Sequence, residues 1–551
     1  MTCAIAAVGS PLAAGSAVAA TAPADASPAD GSLTLERAGS AAGGRIAPQF
    51  VGFSVEWSLI ERYMNPAARP AFANLLGNLG SGVLRIGGSS QDLMQYDPAA
   101  PNTLRVITPE DLDSIRATLA AVDARGRRPP GVAPGWGTIL GTALAPVEPE
   151  RPWVGPEHAR RFADGVQQVF AGPARRAVVS IGLGNEPDIS YDYDLARYLA
   201  DLAAYTSAGV TRPFAVDLPS TSEPIAPWQS IAARTVPTRF FWDWPAILDA
   251  VAPATKAVRA SAGLATTDHF YPAARGCATD EYRCATIERL LSDERMANFA
   301  FQVHTHAGEA KRRGLDYRLG ELNTAAGRGV DGVSNVAASA IWALDTMFSA
   351  ACPQPPDAPG ANSDCRTGAI GVNFHNSEVN AFFAPEEGNA FYNAIAYDPS
   401  PAAGAPSAMP EYYALLLFSR FAQDTRGLRP VPVAAADAAQ PAAAAAVKAW
   451  RVGTDVRAQH PGRLFLINKG AAPATIEVAT PGTSSVALNR MTPHDPTGGD
   501  RTLDAPQVRI DGRSVAADGS WPGFAATAAK PQRGRLQVRL GGGETVVVTP
   551  R

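Results

Sequence analysis

Two glutamates in this 551-residue chain have the neighbours that acid–base chemistry needs. Glu186 follows an apolar run in "AVVSIGLGNEPDIS" and stands between Asn185 and Pro187. Glu321 occupies a similar place in "DYRLGELN". A protonated carboxyl group beside an ionised one can cleave a glycosidic bond, because the leaving oxygen needs a proton and the anomeric carbon needs a nucleophile. The pair therefore predicts glycoside cleavage if the fold brings both side chains into one cleft.

The two carboxyl groups need different charge states for this chemistry. Arg85 lies at the end of another apolar run, and its charge would favour the ionised form of a nearby Glu321. Glu186 has less compensation and would be shifted toward its protonated form. A lone glutamate is most often a surface or capping residue. Two of them at matching strand ends, one within Asn-Glu-Pro, favour the catalytic interpretation.

Short β-rich runs alternate with helical apolar spacing through the middle of the chain. We expect eight strands, at residues 49–56, 82–88, 131–137, 178–186, 214–219, 265–271, 316–323 and 369–375. This alternation predicts an α/β fold, a (β/α)8 TIM barrel enlarged by loop insertions. A doubly wound open sheet is the alternative, but it would more often show a glycine-rich phosphate loop after the first strand. The segment "FSVEWSLIERY" has none.

The predicted barrel would place polar residues from the strand ends around one active site. These residues are Glu56, Arg85, Asn185, Glu186, His269, Tyr271, Glu321, Asn323 and His375. The barrel is expected over residues 47–425. A C-terminal all-β sandwich is expected over 428–551, because short alternating runs with Gly, Pro and Asp between them begin there. Residues 32–46 could add a strand to the sandwich, and the alanine-rich segment 431–450 resembles an exposed linker.

Residues 1–26 are rich in small and apolar side chains and are predicted to be a secretory leader, although no Lys or Arg precedes the apolar part. Export to the periplasm or the exterior is compatible with disulfides. Four cysteines allow three connectivities, and proximity favours the pairs Cys277 with Cys284 and Cys352 with Cys365. A metal site is the competing interpretation, but no CxxC motif or Cys/His cluster accompanies them.

Charge and hydropathy restrict the classes of partner. The formal net charge of −4 gives no overall attraction to nucleic acid or to an anionic membrane. No apolar stretch after residue 30 reaches the ~18 residues that span a bilayer. His304 and His306 fall on different faces of a predicted helix, which disfavours a metal pair. We therefore expect a carbohydrate substrate and neither a metal nor a cofactor.

Several segments together resemble glycoside hydrolase family 79, the family of bacterial β-glucuronidases and heparanase. The segments are "VLRIGGSSQDL", "IGLGNEPD", "DHFYP", "RLGELNTAAGRGVDGVSNVAASAIWALDTMF", "GVNFHNS" and "MPEYYALLLFSRF". The resemblance covers about residues 49–425. It implies a retaining (β/α)8 glycosidase with a C-terminal β-sandwich.

The resemblance also implies roles for individual residues. Glu186 would be the acid/base and Glu321 the nucleophile. Asn185 would bind the sugar 2-hydroxyl, Tyr271 would hydrogen-bond the nucleophile and Arg85 would help hold it. The remaining residues expected to contact the sugar are Glu56, Ser89, Asn323, Gly327, Arg328 and Gly329.

The loop after Glu321 bears on the identity of the sugar. Relatives that accept glucuronides hold the sugar carboxylate with backbone amides in this loop, and Gly327-Arg328-Gly329 occupies the same place here. Ala325 and Ala326 stand where relatives often carry an aromatic residue. Arg328 could pair with the carboxylate, belong to a subsite remodelled for a neutral sugar, or be a solvent-facing loop charge.

The sequence thus predicts a retaining β-glucuronidase or heparanase-like hydrolase. The same mechanism on a neutral sugar, as in a β-glucosidase or a disaccharide-releasing β-glycosidase, is an alternative. A non-catalytic carbohydrate-binding protein on a glycosidase scaffold is another alternative, although a binder would have no reason to retain both glutamates.

Overall fold

The computed structural model describes most of the chain after the predicted leader, which lies outside the described residues. The described ranges are 32–35, 43–103, 106–125, 135–144, 148–149, 151–191, 193–210, 214–236, 243–250, 265–277, 281–357, 365–377, 390–397, 405–435, 441–453, 462–499 and 502–551.

Eight parallel strands form a closed barrel. They are β1 (Val51–Glu56), β2 (Gly82–Gly87), β3 (Trp136–Thr142), β4 (Val178–Leu183), β5 (Ala215–Thr221), β6 (Ala265–Phe270), β7 (Asp316–Leu322) and β8 (Gly371–Asn376). Each strand pairs with the next along the chain, and β8 pairs with β1. The strands are buried on both faces, which explains their continuous apolar runs. The predicted barrel is confirmed.

At least one helix follows each strand and packs outside the barrel, and residues 244–250 form a further helical segment after β5. The principal helices are α1 (Arg69–Asn78), α2 (Pro109–Arg125), α3 (Pro156–Val169), α4 (Leu195–Ser207), α5 (Trp228–Ala232), α6 (Asp293–Arg312), α7 (Ala337–Ala351) and α8 (Pro410–Phe421). Local capping defines several of their first turns. Ser292 accepts a hydrogen bond from the Arg295 amide at the start of α6, and proline occupies the first turn of α3 and α8.

Short helices and strands occupy the connections. Further α-helical turns lie at Ile60–Tyr63, Pro187–Ser190, Ile287–Leu290 and Pro441–Ala446, and 3-10 turns at Trp57–Leu59, Ser89–Asp92 and Gly172–Ala177. Two-stranded pairs join Gln95–Tyr96 to Val106–Ile107 and Ile395–Ala396 to Ser407–Ala408. No helix in the described part of the chain has the length and hydropathy required to cross a bilayer.

The third barrel strand lies further along the chain than the sequence predicted. Residues 131–137 were expected as the strand, but β3 begins at Trp136 and ends at Thr142. Every residue of β3 is buried. The proline at position 134 has no amide hydrogen to contribute to a sheet, so the apolar run after it forms the strand instead.

The C-terminal region contains two antiparallel-rich sheets. The larger sheet has the strands Gly44–Ile46, Thr425–Pro430, Val447–Val452, Arg463–Asn468, Thr545–Pro550, Val486–His494 and Gln507–Ile510, with Thr527–Ala529 paired to its side. The smaller sheet has the strands Val433–Ala435, Ser32–Leu35, Ala474–Ala479 and Arg535–Leu540. The N-terminal strand Ser32–Leu35 thus joins this region.

Successive side chains along a strand point to opposite faces of the sheet. In the strand Val447–Val452 of the larger sheet, the side chains on both faces enter a hydrophobic core. Val447 and Ala449 belong to the core between the two sheets. The ring of Trp450 stacks on Phe348 of α7, with centroids 5.3 Å apart. The linker predicted for residues 431–450 is therefore wrong at both ends, where Val433–Ala435 and Val447–Val452 are strands.

Two disulfides have the connectivity that proximity predicted, Cys277 with Cys284 and Cys352 with Cys365. The first closes part of the loop after β6. Ala274 in this loop forms β-bridges with Cys284 and with Ala326, which follows β7. The disulfide loop is therefore attached by its backbone to the segment that follows Glu321.

Candidate active site

Glu186 projects from a sharp turn after β4. Gly184 and Glu186 both have positive φ, 76° and 46°, and Glu186 lies in the left-handed region. A non-glycine residue in this region costs on the order of 1–3 kcal/mol and persists only where neighbouring contacts hold it. The Glu186 amide donates to the Ser220 carbonyl at 2.9 Å, and Pro187 begins a helical turn. The turn ends the strand and directs the carboxyl group over the barrel.

Glu321 lies at the end of β7 and is held from two sides. Arg85 Nη1 donates to Glu321 Oε2 at 2.8 Å, and both side chains are buried. The Tyr271 hydroxyl donates to Glu321 Oε1 at 2.6 Å. Nδ1 of His375 lies 3.5 Å from Oε2. Both carboxylate oxygens therefore have a fixed donor, and one face of the group stays on the cleft.

The two glutamates meet across one narrow gap. One oxygen from each carboxyl group and a ring nitrogen of His269 all lie within 4.8 Å of one another. His269 Nδ1 is 2.9 Å from Glu186 Oε1 and 3.9 Å from Glu321 Oε2. Carboxyl groups about 5–5.5 Å apart suit direct attack on a sugar, whereas about 6.5–9.5 Å leaves room for an intervening water. Carboxylate oxygens within 4.8 Å of each other favour the first geometry.

The surroundings give the two carboxyl groups opposite charge states. Burial and then the negative charge of Glu321 raise the pKa of Glu186 to about 8. Burial alone would raise the pKa of Glu321 as well, but the charges of His375 and Arg85 and the Tyr271 hydroxyl outweigh it and lower that pKa to about 2. Near neutral pH the site therefore holds one protonated and one ionised carboxyl group.

Arg85 organises the floor of the site. Its second terminal nitrogen donates to Asn185 Oδ1 at 2.8 Å, and its first also reaches Ser54 Oγ at 2.9 Å. The backbone amide of Asn185 in turn donates to Asp92 Oδ2 at 3.0 Å. Because Arg85 contacts both Glu321 and Asn185, it fixes the distance between the ends of β4 and β7.

The open cleft above these residues has a volume of about 610 Å³. Among the residues expected at the site, those that line the cleft are Glu56, Ser89, Glu186, Tyr271, Glu321, Gly327, Arg328 and His375. Arg85 and Asn185 are buried beneath them. Tyr392 also lines the cleft.

Asn323 does not line the cleft as the sequence suggested. It has no exposed surface, and its side-chain nitrogen donates to the carbonyls of His375 and Tyr392 at 2.9 and 3.1 Å. It therefore connects the loops after β7 and β8. Gly329 does not line the cleft either. It has a φ of 76°, and a Cβ there would lie 2.9 Å from Ser334 and from the Tyr392 nitrogen, so the backbone requires glycine.

Arg328 is not the solvent-facing loop charge that one interpretation of the sequence proposed. Only 6% of its surface is exposed, although it borders the cleft. Its φ is 72°, and its carbonyl accepts a hydrogen bond from the Phe391 amide at 2.7 Å. The loop after Glu321 is thus tied to the segment after β8.

Sequence reasoning missed several residues that shape the site. Ser90 donates to Glu56 Oε2 from its amide at 2.8 Å and from its hydroxyl at 2.5 Å. Tyr392 stacks on Tyr271 with ring centroids 6.2 Å apart. Asp92 holds the Asn185 amide. Ser90 and Asp92 lie in a short 3-10 turn and Tyr392 in a loop, where no strand or helix periodicity marks them. The aspartate and serine within "GGSSQD" are the only local signal.

A second cluster of titratable groups lies behind Glu186. Asp268 accepts hydrogen bonds from the Tyr317 hydroxyl and Nδ1 of His306, each at 2.5 Å. Glu223 Oε1 lies 3.6 Å from the same nitrogen. Ligand atoms of Glu223, Asp268 and His306 lie within 4.8 Å of one another, as do those of the Glu186 group. Each group supplies three ligand atoms, fewer than the four of a structural zinc site and the same number that a catalytic zinc site takes from the protein.

No family model matches the sequence, and no curated protein matches it either. Solved structures do match over nearly the whole chain. A 4-O-α-L-rhamnosyl-β-D-glucuronidase from Fusarium oxysporum 12S has 16% identity and a TM-score of 0.63, covering 94% of this chain and 100% of the other.

Two arabinofuranosidases match similarly. The GH51 arabinofuranosidase from Xanthomonas axonopodis pv. citri has 12% identity and a TM-score of 0.57, covering 94% of this chain and 99% of the other. The α-L-arabinofuranosidase from Thermotoga maritima has 11% identity and a TM-score of 0.56 over the same shares. At these identities the likeness shows a shared fold.

Proposed function

We propose that this chain is a retaining β-glycosidase in which Glu321 is the nucleophile and Glu186 is the acid/base. The observation that carries the proposal is the gap of less than 4.8 Å between an oxygen of one carboxyl group and an oxygen of the other. This separation suits double displacement rather than single displacement. The opposed pKa shifts of the two groups provide the proton donor and the ionised nucleophile that the reaction needs.

In the first step, Glu321 attacks the anomeric carbon and forms a glycosyl ester. The bond from that carbon to the glycosidic oxygen breaks, and the leaving oxygen takes the proton of Glu186. In the second step, the ionised Glu186 removes a proton from water, whose oxygen attacks the anomeric carbon. The ester bond breaks, Glu321 is released as a carboxylate, and Glu186 is protonated again.

The residues around Glu321 support this sequence of events. Tyr271 and Arg85 orient the carboxylate and keep it ionised. Asn185 is fixed by Arg85 at the edge of the gap, where its amide nitrogen would bind the 2-hydroxyl of the sugar. Such a contact strengthens in the transition state and so contributes to rate.

We assign a β-glucuronide as the preferred substrate. Gly327 and Arg328 border the cleft beside the nucleophile, and a guanidinium group there would complement a sugar carboxylate. The structural match to a rhamnosyl-glucuronidase supports this choice, whereas the matches to arabinofuranosidases support a neutral sugar. The members of glycoside hydrolase family 79, which the sequence motifs resemble, include β-glucuronidases. The two disulfides suit an exported protein.

A panel of 4-nitrophenyl β-glucuronide, β-glucoside and β-xyloside tests the proposal, with the anomeric configuration of the first product followed by NMR. We expect the highest kcat/KM on the glucuronide and a product released initially as the β-anomer. A clear preference for a neutral sugar would overturn the glucuronide assignment. An α-anomer would overturn the double displacement. Saccharide binding in calorimetry without any hydrolysis would indicate a binding protein instead.

A further inference from the structure

The proposed mechanism divides the cleft into two parts. The sugar that is attacked lies against Glu321, which forms the bond to its anomeric carbon. The leaving group must lie on the side of Glu186, because that carboxyl group gives its proton to the leaving oxygen. The residues that follow Glu186 and those that follow β5 therefore contact the leaving group, whereas Asn185 and the residues that follow β7 and β8 face the sugar.

The leaving-group part of the cleft is lined by aliphatic side chains. Ile189 lies one helical turn after Glu186 and lines the cleft with Pro224, Ile225 and Val236. Ile189 is 44% exposed, and only one other large apolar side chain in the described part of the chain, Leu93, is comparably exposed at 38%. Together the four side chains form an apolar surface within the cleft, and an apolar surface in a cleft is typical of a ligand-binding site.

The polar groups on this side of the cleft already have protein partners. The Ser222 amide and hydroxyl both donate to the buried carboxyl group of Asp188, at 3.0 and 3.2 Å. Glu223 lies against His306, 3.6 Å from its Nδ1. Arg283 at the rim pairs with Glu281 through Nε at 3.1 Å, and its side chain is 54% exposed. Apart from Arg283 at the rim, a sugar bound here would find few hydrogen-bonding groups to replace its water.

We propose that the leaving group of the natural substrate is an apolar, ring-sized aglycone that packs on Ile189, Pro224, Ile225 and Val236, rather than a second sugar. This inference rests on the proposed function, since it presupposes which carboxyl group is the acid. It adds the chemical class of the substrate: a glycoside of an aromatic or alicyclic alcohol. The described wall contacts such a ring through aliphatic carbon and excludes water from the bond that breaks.

The test compares leaving groups of similar acidity on one sugar, so that intrinsic reactivity does not dominate. Methyl, benzyl and cyclohexylmethyl glycosides and a disaccharide, all carrying the sugar that the substrate panel selects, are hydrolysed by the wild-type protein. We expect kcat/KM to be at least about tenfold higher for the two ring-bearing glycosides than for the methyl glycoside or the disaccharide, as a hydrophobic pocket discriminates. Ile189→Thr should reduce the ratio of benzyl to methyl kcat/KM about fivefold.

Leu93→Thr is the matched control, because Leu93 is the other exposed aliphatic residue and does not line the cleft. It should leave the benzyl-to-methyl ratio within about twofold of the wild type. A disaccharide cleaved as well as the ring-bearing glycosides, or a ratio unchanged by Ile189→Thr, would overturn the apolar subsite while leaving the glycosidase proposal intact. Failure to hydrolyse any glycoside would instead overturn the proposed function.

Discussion

The ends of β4 and β7 present the same side chain to the same cleft in opposite environments. Glu321 at the end of β7 touches Arg85 and Tyr271, and its pKa is lowered. Glu186 beyond β4 contacts His269, and burial lowers the pKa of that imidazole to about 3 and keeps it uncharged near neutral pH. Asp188, the next acidic residue after Glu186 in the sequence, has a pKa raised to about 8, and burial is the main cause.

The comparison indicates that neighbours, rather than the residue type, determine which glutamate is protonated and which is ionised near neutral pH. Cations and a hydroxyl converge on Glu321, so its charge is compensated. Arg85 and His375 also act on Glu186, but burial and the negative charges of Glu321 and Glu56 outweigh them, so the charge of Glu186 is not compensated. Because the two groups also repel each other, ionising one makes ionising the other harder. Variants that alter one environment should therefore affect the two groups differently.

The largest expected effect comes from Glu321→Gln. It removes the proposed nucleophile and should lower kcat by about 10⁵-fold, as loss of a covalent catalyst does elsewhere. Glu186→Gln should be equally slow on a substrate with a poor leaving group but should retain much of its kcat/KM on a 2,4-dinitrophenyl glycoside, because formation of the glycosyl ester then needs no proton, while kcat falls because release of the ester has lost its base. Steady-state kinetics of the two variants on both substrates measures the difference.

Glu157→Gln on the exposed surface of α3 is the control and should be indistinguishable from the wild type. Azide should restore turnover to Glu186→Gln, because it can attack the glycosyl ester without a base. If Glu321→Gln rather than Glu186→Gln kept its activity on the activated substrate, the two roles would have to be exchanged.

Arg85→Met should have the next largest effect. Removal of the guanidinium leaves Glu321 less compensated and releases Asn185, so kcat/KM should fall by about 10²–10³-fold. The pKa of Glu321 should also rise, so a new acidic limb should appear in the pH profile. A pH profile of the wild type, of this variant and of Arg160→Met, which alters an exposed ion pair on α3, separates charge loss from general damage. If no new acidic limb appeared in the pH profile of Arg85→Met, the role assigned to Arg85 would be contradicted.

The alkaline limb of the wild-type profile should report Glu186. Only the protonated form donates, so kcat/KM should be flat from pH 5 to 7 and fall as pH rises through the pKa of about 8. Glu56 contributes to that raised pKa, and Glu56→Gln should move the limb to lower pH by about half a unit. An alkaline limb that moves to higher pH or stays at the same pH in Glu56→Gln would show that a group other than Glu186 controls it.

The smallest expected effect concerns stability. Burial raises the pKa of Glu186 and Asp188 to about 8 and that of Asp217 to about 7. Groups whose pKa is higher in the folded state than in the unfolded chain bind more protons when folded, so stability falls as pH rises between the two values. The Tm should therefore be about 5 °C lower at pH 8 than at pH 5.

Asp217→Asn tests this account by calorimetry, because both carboxylate oxygens of Asp217 are buried without a hydrogen-bond partner. The variant should show a smaller decrease in Tm between pH 5 and pH 8 than the wild type does. An equal decrease in Tm for the variant and the wild type would show that Asp217 does not contribute to the pH dependence of stability.

The barrel could be predicted from sequence because its strands are buried on both faces and read as uninterrupted apolar runs. The run ending at Leu183 is of this kind. The position of β3 could be predicted less accurately, since a proline-containing segment directly precedes the strand in the sequence. The alanine-rich segment 431–450 was misread because Val447–Val452 alternates between two buried faces, which composition does not show.

The strand-end rule placed Glu186, Glu321 and Arg85 at the site, because parallel barrel strands all end on one rim. The rule does not predict which neighbours are buried beneath the rim. Asn323 follows β7 but turns toward backbone carbonyls. Tyr392 reaches the cleft from a loop whose path depends on tertiary packing. Loop residues of this kind become visible only in three dimensions.

A covalent trapping experiment tests the central claim most directly. In a 2-deoxy-2-fluoro-β-glycosyl fluoride, the fluorine at carbon 2 slows both displacement steps, whereas the fluoride at the anomeric carbon is a good leaving group in the first step. A retaining enzyme therefore accumulates the glycosyl ester. Digestion and mass spectrometry should find one sugar on the peptide that contains Glu321, and none on the peptide that contains Glu186. A label on Glu186, or hydrolysis of ordinary substrates with inversion and no labelled peptide, would contradict the account.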